Sequence, residues 1–279
     1  MATVSKAPRA TRRQFQTRLL INGEWRESVS GKRFATINPA TEEVIAEVAE
    51  GDAADIDLAV KAARKAFDSG PWRKTDARDR GKMMHRLAEL IEDHIDELAE
   101  LETLDNGKPI RESRNADLPL VIDCLHYYAG WADKIHGQTV PIRGNYFCYI
   151  KREPVGVAGQ IIPWNFPMLM VAWKWGPALA AGCAVLIKPS EATPRFVPAL
   201  RAAIDRVPEL AAVLQIVTGP GTTGEALIRN SDVICFTGSV RTGRQVAKLA
   251  ADAFIPAHLE LGGKDAAMCT WCVASKLPS

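Results

Sequence analysis

From Pro154 onward the chain alternates short, mainly apolar runs with segments of helical spacing, and this alternation most restricts the fold. The runs are 155–162, 184–187, 213–217, 233–236 and 257–261. Between them lie helical patterns at about 168–181, 195–206, 223–229 and 242–253. Strands that are apolar on both faces need cover on both faces, and strands joined by helices run parallel. The expected class is therefore α/β, a parallel sheet with flanking helices. In such a sheet ligands lie beyond the carboxyl ends of the strands. That places 163–166, 188–191, 219–224, 238–239 and 260–263 along one rim.

The first half of the chain reads differently. Residues 19–25 (LLINGEW) form a short strand and 33–37 another, followed by an Asn38-Pro39 turn. Asp52 caps a helix through Phe67, whose residues Ile56, Ala59, Val60, Ala63 and Phe67 recur at helical spacing. Gly70-Pro71 breaks it. One long helix is expected from about Asp76 to Leu104, stopped by Asn106-Gly107, and another over 110–134. These form an N-terminal helical layer whose apolar stripes need a partner surface. Residues 139–142 and 146–152 alternate around Arg143-Gly144-Asn145 and read as a projecting β-hairpin.

Composition narrows the partners. The net charge of +2 gives no reason to expect nucleic acid or a membrane. No apolar run is long enough to span a bilayer. The six cysteines are scattered, mostly in apolar runs, which suits a reducing compartment better than a disulfide scaffold. Cys269 and Cys272 have CxxC spacing but neither a second pair nor a strand–helix context. The first 18 residues are basic and lack an acid. A mitochondrial presequence shares that character, but Pro8 and the missing apolar face fit a disordered tail better, so a cytoplasmic location is expected. The histidines show no metal-ligand spacing, and no metal is expected.

Five rim segments carry chemistry. Pro163-Trp164-Asn165-Phe166-Pro167 is a loop fixed by two prolines. It could present the Asn165 amide as a donor, or be a turn with Asn165 bonded to backbone. Lys188 and Glu191 could grip a ribose, one donating and one accepting, or form a surface ion pair. Gly219-Pro220-Gly221-Thr222-Thr223-Gly224 fits GxGxxG but lacks the acid expected about 20 residues later, so a glycine-rich βα turn is the safer reading. Gly238-Ser239 opens a helix, where backbone N–H groups can hold phosphate and Ser239 can cap. Glu260, ahead of Gly262-Gly263-Lys264, could act as a general base for water, or be satisfied by Lys264.

In this order, LLINGEW, INPATEEVIAEV, LETLDNGKP, ADKIHGQTVPI, EPVGVAGQIIPWNFP, IKPSE, FTGS and LELGGK resemble the aldehyde dehydrogenase superfamily over about Leu19 to Lys264. The likeness is to the NAD-linked branch acting on aliphatic, retinal-type and betaine-type aldehydes. It implies a Rossmann-like domain over 19–264, with a bridging hairpin at 139–152 and a basic tail over 1–18. It implies that Asn165 is the side-chain half of an oxyanion hole and that Glu260 activates water. Lys188 and Glu191 would hold the adenosine ribose, the glutamate favouring NAD over NADP. Gly238 and Ser239 would lie at the pyrophosphate, with Ile162, Trp164, Gly221 and Gly262 at other cofactor positions. It further implies a cysteine nucleophile, a thioester intermediate, a small aldehyde substrate and a homo-oligomer, dimer or tetramer.

The resemblance stops after Lys264. It places the nucleophile about 30 to 35 residues beyond the glutamate, whereas 19 residues follow Glu260 and 265–279 do not read as its continuation. Cys269 and Cys272 are too near Glu260 to serve. The expectation is a chain without its catalytic second domain, inactive alone and exposing apolar surface to water. The alternative is a non-catalytic dinucleotide-binding or oligomerisation module, against which stands the retention of Asn165 and Glu260.

Overall fold

The computed structural model describes residues 16–195 and 200–263. The sheet holds seven strands, in the spatial order 257–261, 233–238, 157–161, 184–188, 214–216, 19–21 and 24–26. Its parallel part is β7 (Val157–Ile161), β8 (Ala184–Lys188), β9 (Leu214–Ile216), β10 (Val233–Gly238) and β11 (Ala257–Leu261). Here β7 is central. The chain builds outward to β8 and β9 on one side, then crosses back to add β10 and β11 on the other. That is the 3-2-1-4-5 order of dinucleotide-binding sheets, with a topological switch between β7 and β10.

The sheet is mixed, not wholly parallel. The segment read as one strand is a hairpin, β1 (Leu19–Ile21) and β2 (Glu24–Arg26), and β1 pairs antiparallel with β9. Asn22 and Gly23 both have positive φ, 56° and 76°. This is the two-residue turn whose twist suits a hairpin, and Asn-Gly is its strongest signal. A strand missed in the sequence, β4 (Val44–Ala49), pairs with β3 (Arg33–Ile37) in a separate two-stranded sheet. Its outer half is too exposed to alternate cleanly.

Each face of the main sheet has its own core because side chains alternate along a strand. Val185 and Ile187 of β8 join the larger apolar cluster, and Leu186 between them joins the other. The second face is covered by α1 (Ala53–Asp68), whose Ile56 and Ala59 meet Leu186, Leu227 and Ile234 there. Asp52 caps α1 as expected, accepting from the Ala54 amide at 2.8 Å, while Asp55 returns a bond to the Asp52 amide at 3.1 Å. A short α2 (Pro71–Lys74) follows.

The expected helix over 76–104 is two, α3 (Ala77–Asp93) and α4 (Ile95–Asn106). At His94 the backbone leaves helical geometry and the imidazole Nδ1 lies 2.8 Å from the Leu90 carbonyl oxygen. Gly107, at φ +86°, stops α4 in the left-handed region as its sequence implied. Residues expected to form one helix over 110–134 comprise α5 (Ile110–Glu112), a π-helical turn (Ser113–Asp117) and α6 (Leu118–Trp131). The hairpin is present but shorter, β5 (Gln138–Val140) and β6 (Cys148–Ile150), with Tyr146 and Phe147 largely exposed. Between the parallel strands run α7 (Pro167–Ala181), α8 (Arg201–Ile204), α9 (Pro208–Val213), α10 (Gly221–Asn230) and α11 (Val240–Asp252). The basic tail over 1–15, Lys264, Cys269 and Cys272 lie outside the described residues.

Candidate functional site

The carboxyl ends of β7 and β10 diverge at the switch, and a cleft of about 480 Å³ opens there. Ile162 and Trp164 form one wall, Gly238 and Ser239 another, and Lys188, Glu191 and Gly221 the floor and mouth. Seven of the ten residues singled out in the sequence thus line one cleft. Asn165, Glu260 and Gly262 are exposed and do not line it.

Lys188 is buried at the end of β8. Its Nζ donates to the Gly219 carbonyl at 2.7 Å and the Pro189 carbonyl at 2.9 Å, and stands 3.4 Å from Glu191 Oε2. Burial pushes its pKa down and Glu191 pulls it back up. An ammonium has three donors, so Lys188 reaches a ligand hydroxyl only by giving up one of these partners. It orders the glycine-rich turn and orients Glu191, whose half-exposed carboxylate remains able to accept.

The turn itself is shaped by its glycines. A Cβ on Gly219 would meet the Gly51 carbonyl oxygen and the Thr223 hydroxyl, each at 2.5 Å, so only glycine fits. At Gly221, the first residue of α10, no atom lies within 4 Å of a Cβ, leaving its backbone open to the cleft. Opposite, Ser239 caps α11 by accepting from the Thr242 amide at 3.2 Å. The free N–H groups of that first turn and the helix dipole together favour an anion. Gly238 packs edge-on to Phe236, where a Cβ would come within 2.6 Å of the ring.

Glu260 follows the register of β11, directly beside Thr237 of β10. The Thr237 hydroxyl donates to Oε2 at 2.9 Å, and Lys174 Nζ lies 3.2 Å from Oε1. The sequence offered Lys264 as the satisfying cation, but among the described residues that role falls to Lys174 of α7. Lys174 is buried and is the lone charge in the apolar stretch 168–181. A charge kept in such a stretch was the available signal. Gln160 Nε2 donates to the Lys174 carbonyl at 2.9 Å and helps seat it.

Comparison with known proteins follows the same lines. The model of the Aldehyde dehydrogenase family matches residues 25–271, reaching past Lys264. The chain is 51% identical over 263 residues to a human protein named aldehyde dehydrogenase, mitochondrial, covering 92% of this chain and 51% of that protein. It is 50% identical over 251 residues to a benzaldehyde dehydrogenase, mitochondrial, of Antirrhinum majus, covering 88% and 47%. The solved NAD+ complex of aldehyde dehydrogenase from Bacillus cereus superposes with a TM-score of 0.84 at 46% identity, over 89% of this chain and 51% of that one. The chain spans about half the length of the relatives it matches.

Proposed function

The chain belongs to the aldehyde dehydrogenase family, and from that premise we propose that it is the dinucleotide-binding part of an enzyme that oxidises an aldehyde to its acid with NAD. The observation that carries this reading is the cleft at the β7–β10 switch, with the capped α11 N-terminus on one side and Glu191 on the other. The cradle fits a dinucleotide: Gly221 leaves open space for a close pyrophosphate, Gly238 lets the turn pack against Phe236, and the first turn of α11 supplies N–H donors for the phosphates. Glu191 accepts from a ribose diol, and a 2′-phosphate there would meet its negative charge. Ile162 and Trp164 wall the site. When bound, the nicotinamide serves as hydride acceptor.

Two further residues do their work outside the cleft lining. The Asn165 amide donates to the oxygen on which negative charge develops during attack on the aldehyde. Glu260 takes a proton from water, and Thr237 and Lys174 set its orientation. None of the cysteines with a resolved shift is a ready thiolate. Burial pushes Cys124 up to about 11 and raises Cys183 and Cys235 as well, and Cys148 sits on the β6 hairpin strand. With no ready thiolate among the described residues, and Cys269 and Cys272 outside them, the 279-residue chain is expected to bind NAD, and its own turnover of aldehyde is expected to be absent. The exposed hairpin aromatics Tyr146, Phe147 and Tyr149 support an oligomer in which another copy covers them.

Calorimetric titration with NAD and NADP tests the reading. NAD is expected to bind, and NADP to bind at least roughly tenfold more weakly, the factor for about 1.4 kcal/mol. Glu191→Gln should weaken NAD and narrow the gap. Equal affinity for both cofactors in the wild type, or no binding of either, would overturn it.

A further inference from the structure

The loop 163–167 joins β7 to α7 and is gripped from the end of α4. Asn106, the last residue of that helix, donates through Nδ2 to the carbonyl oxygens of both Trp164 and Asn165, the second at 3.3 Å. Its Oδ1 accepts from the Lys108 amide at 3.2 Å. One side chain thus closes the helix end and holds the loop. An amide carries two donors and an acceptor, and no carboxylate can do both. Gly107 turns the chain between them, and Lys108 sets its ammonium 4.3 Å from the Phe166 ring centroid while pairing with buried Asp117. Three consecutive loop residues are therefore touched by Asn106 and Lys108. The flanking prolines restrict φ but donate nothing, so they leave the carbonyl directions to these contacts.

We propose that Asn106 is a positioning residue: by holding the Trp164 and Asn165 carbonyls it fixes the direction in which Asn165 presents its amide. The inference rests on the oxyanion role proposed above for Asn165. The grip spans 58 and 59 residues of sequence, and it explains why a neutral amide, and not any polar residue, stands at the helix end.

The test compares the 15N-labelled 279-residue chain with Asn106→Ala and Asn106→Asp. The aspartate keeps an acceptor for the Lys108 amide and loses both donors to the loop. One readout is the pair of Asn165 side-chain amide signals, assigned by their loss in Asn165→Asp. The other is hydrogen exchange at the amides of Trp164, Asn165 and Phe166. Both variants should shift or broaden the Asn165 signals and speed exchange by roughly tenfold, the factor for one net hydrogen bond. Unchanged signals and exchange in both overturn the proposal. A change confined to Asn106→Ala also overturns it, by assigning the effect to the helix end. Loss of cooperative folding in both variants does so too, since Asn106 would then serve the fold. NAD titration of the same samples reads the cofactor proposal separately: a loop that loosens in a chain that binds no NAD supports the grip and sinks the functional reading.

Discussion

Replacing Glu102 by glutamine removes a charge that the fold cannot solvate. The side chain lies on α4, wholly buried, and no side chain donates a hydrogen bond to either oxygen. Burial, chiefly, together with the Asp117 and Asp105 carboxylates, raises its pKa from 4.5 to about 7, against the pull of Lys108 and the Met168 amide. Between those two values the native chain holds a proton that the unfolded chain has lost. The stability tied to this group is therefore whole below 4.5 and falls as pH rises through about 7. At about 1.4 kcal/mol per pKa unit, the loss comes to about 3 kcal/mol. Glu102→Gln is expected to match wild type near pH 4.5 and to exceed it by about 3 kcal/mol near pH 8. For a chain this size that is roughly 6–10 °C in melting temperature. Urea unfolding of both proteins across that range measures the difference, in which carboxylates remote from Glu102 cancel. A difference flat with pH, or a variant weaker than wild type near pH 8, would show that Glu102 is not protonated in the fold.

Other outcomes follow from local geometry. Phe254 is 96% exposed and sits at φ +57° just past α11, a position that favours glycine; Phe254→Gly should gain about 1 kcal/mol by urea unfolding, and a loss would show that the ring has a partner. Ser239→Ala should cost about 1 kcal/mol of stability through the lost cap and weaken NAD binding as well, which melting and calorimetry together resolve. Gly219→Ala drives a Cβ into the Gly51 carbonyl and the Thr223 hydroxyl and should cost about 1–3 kcal/mol, checked by the same unfolding curves.

Where local chemistry decides structure, the sequence was readable. The parallel strands β7 to β10 announce themselves as mainly apolar runs, whereas β11, expected to be covered on both faces, is an exposed edge strand carrying His258 and Glu260; Asp52, Gly107 and Ser239 act as the caps and stop their types suggest. The Asn22-Gly23 turn carries a hairpin signal but reads as part of one strand, because its flanking strands are only three residues each and the second, Glu24–Arg26, is mostly polar. The break at His94 left no trace, because the apolar stripes of α3 and α4 continue through it. The site was legible where it is a row of strand ends. It was hidden where distant segments meet: Lys174 with Glu260, Lys188 with the Gly219 carbonyl, and Asn106 with the Asn165 loop. Periodicity places a residue on a face, but it cannot say which face of another element that residue will find.

The most direct test of a cofactor seated at the β7–β10 switch is a hydrogen-exchange footprint of the chain with and without saturating NAD. Protection is expected in the segments that line the cleft, 162–164, 188–191, the glycine-rich turn at 219–225 and the first turn of α11 at 238–243, with the β5–β6 hairpin unchanged. Protection confined to segments outside that lining, or none despite measurable binding, would contradict that seat.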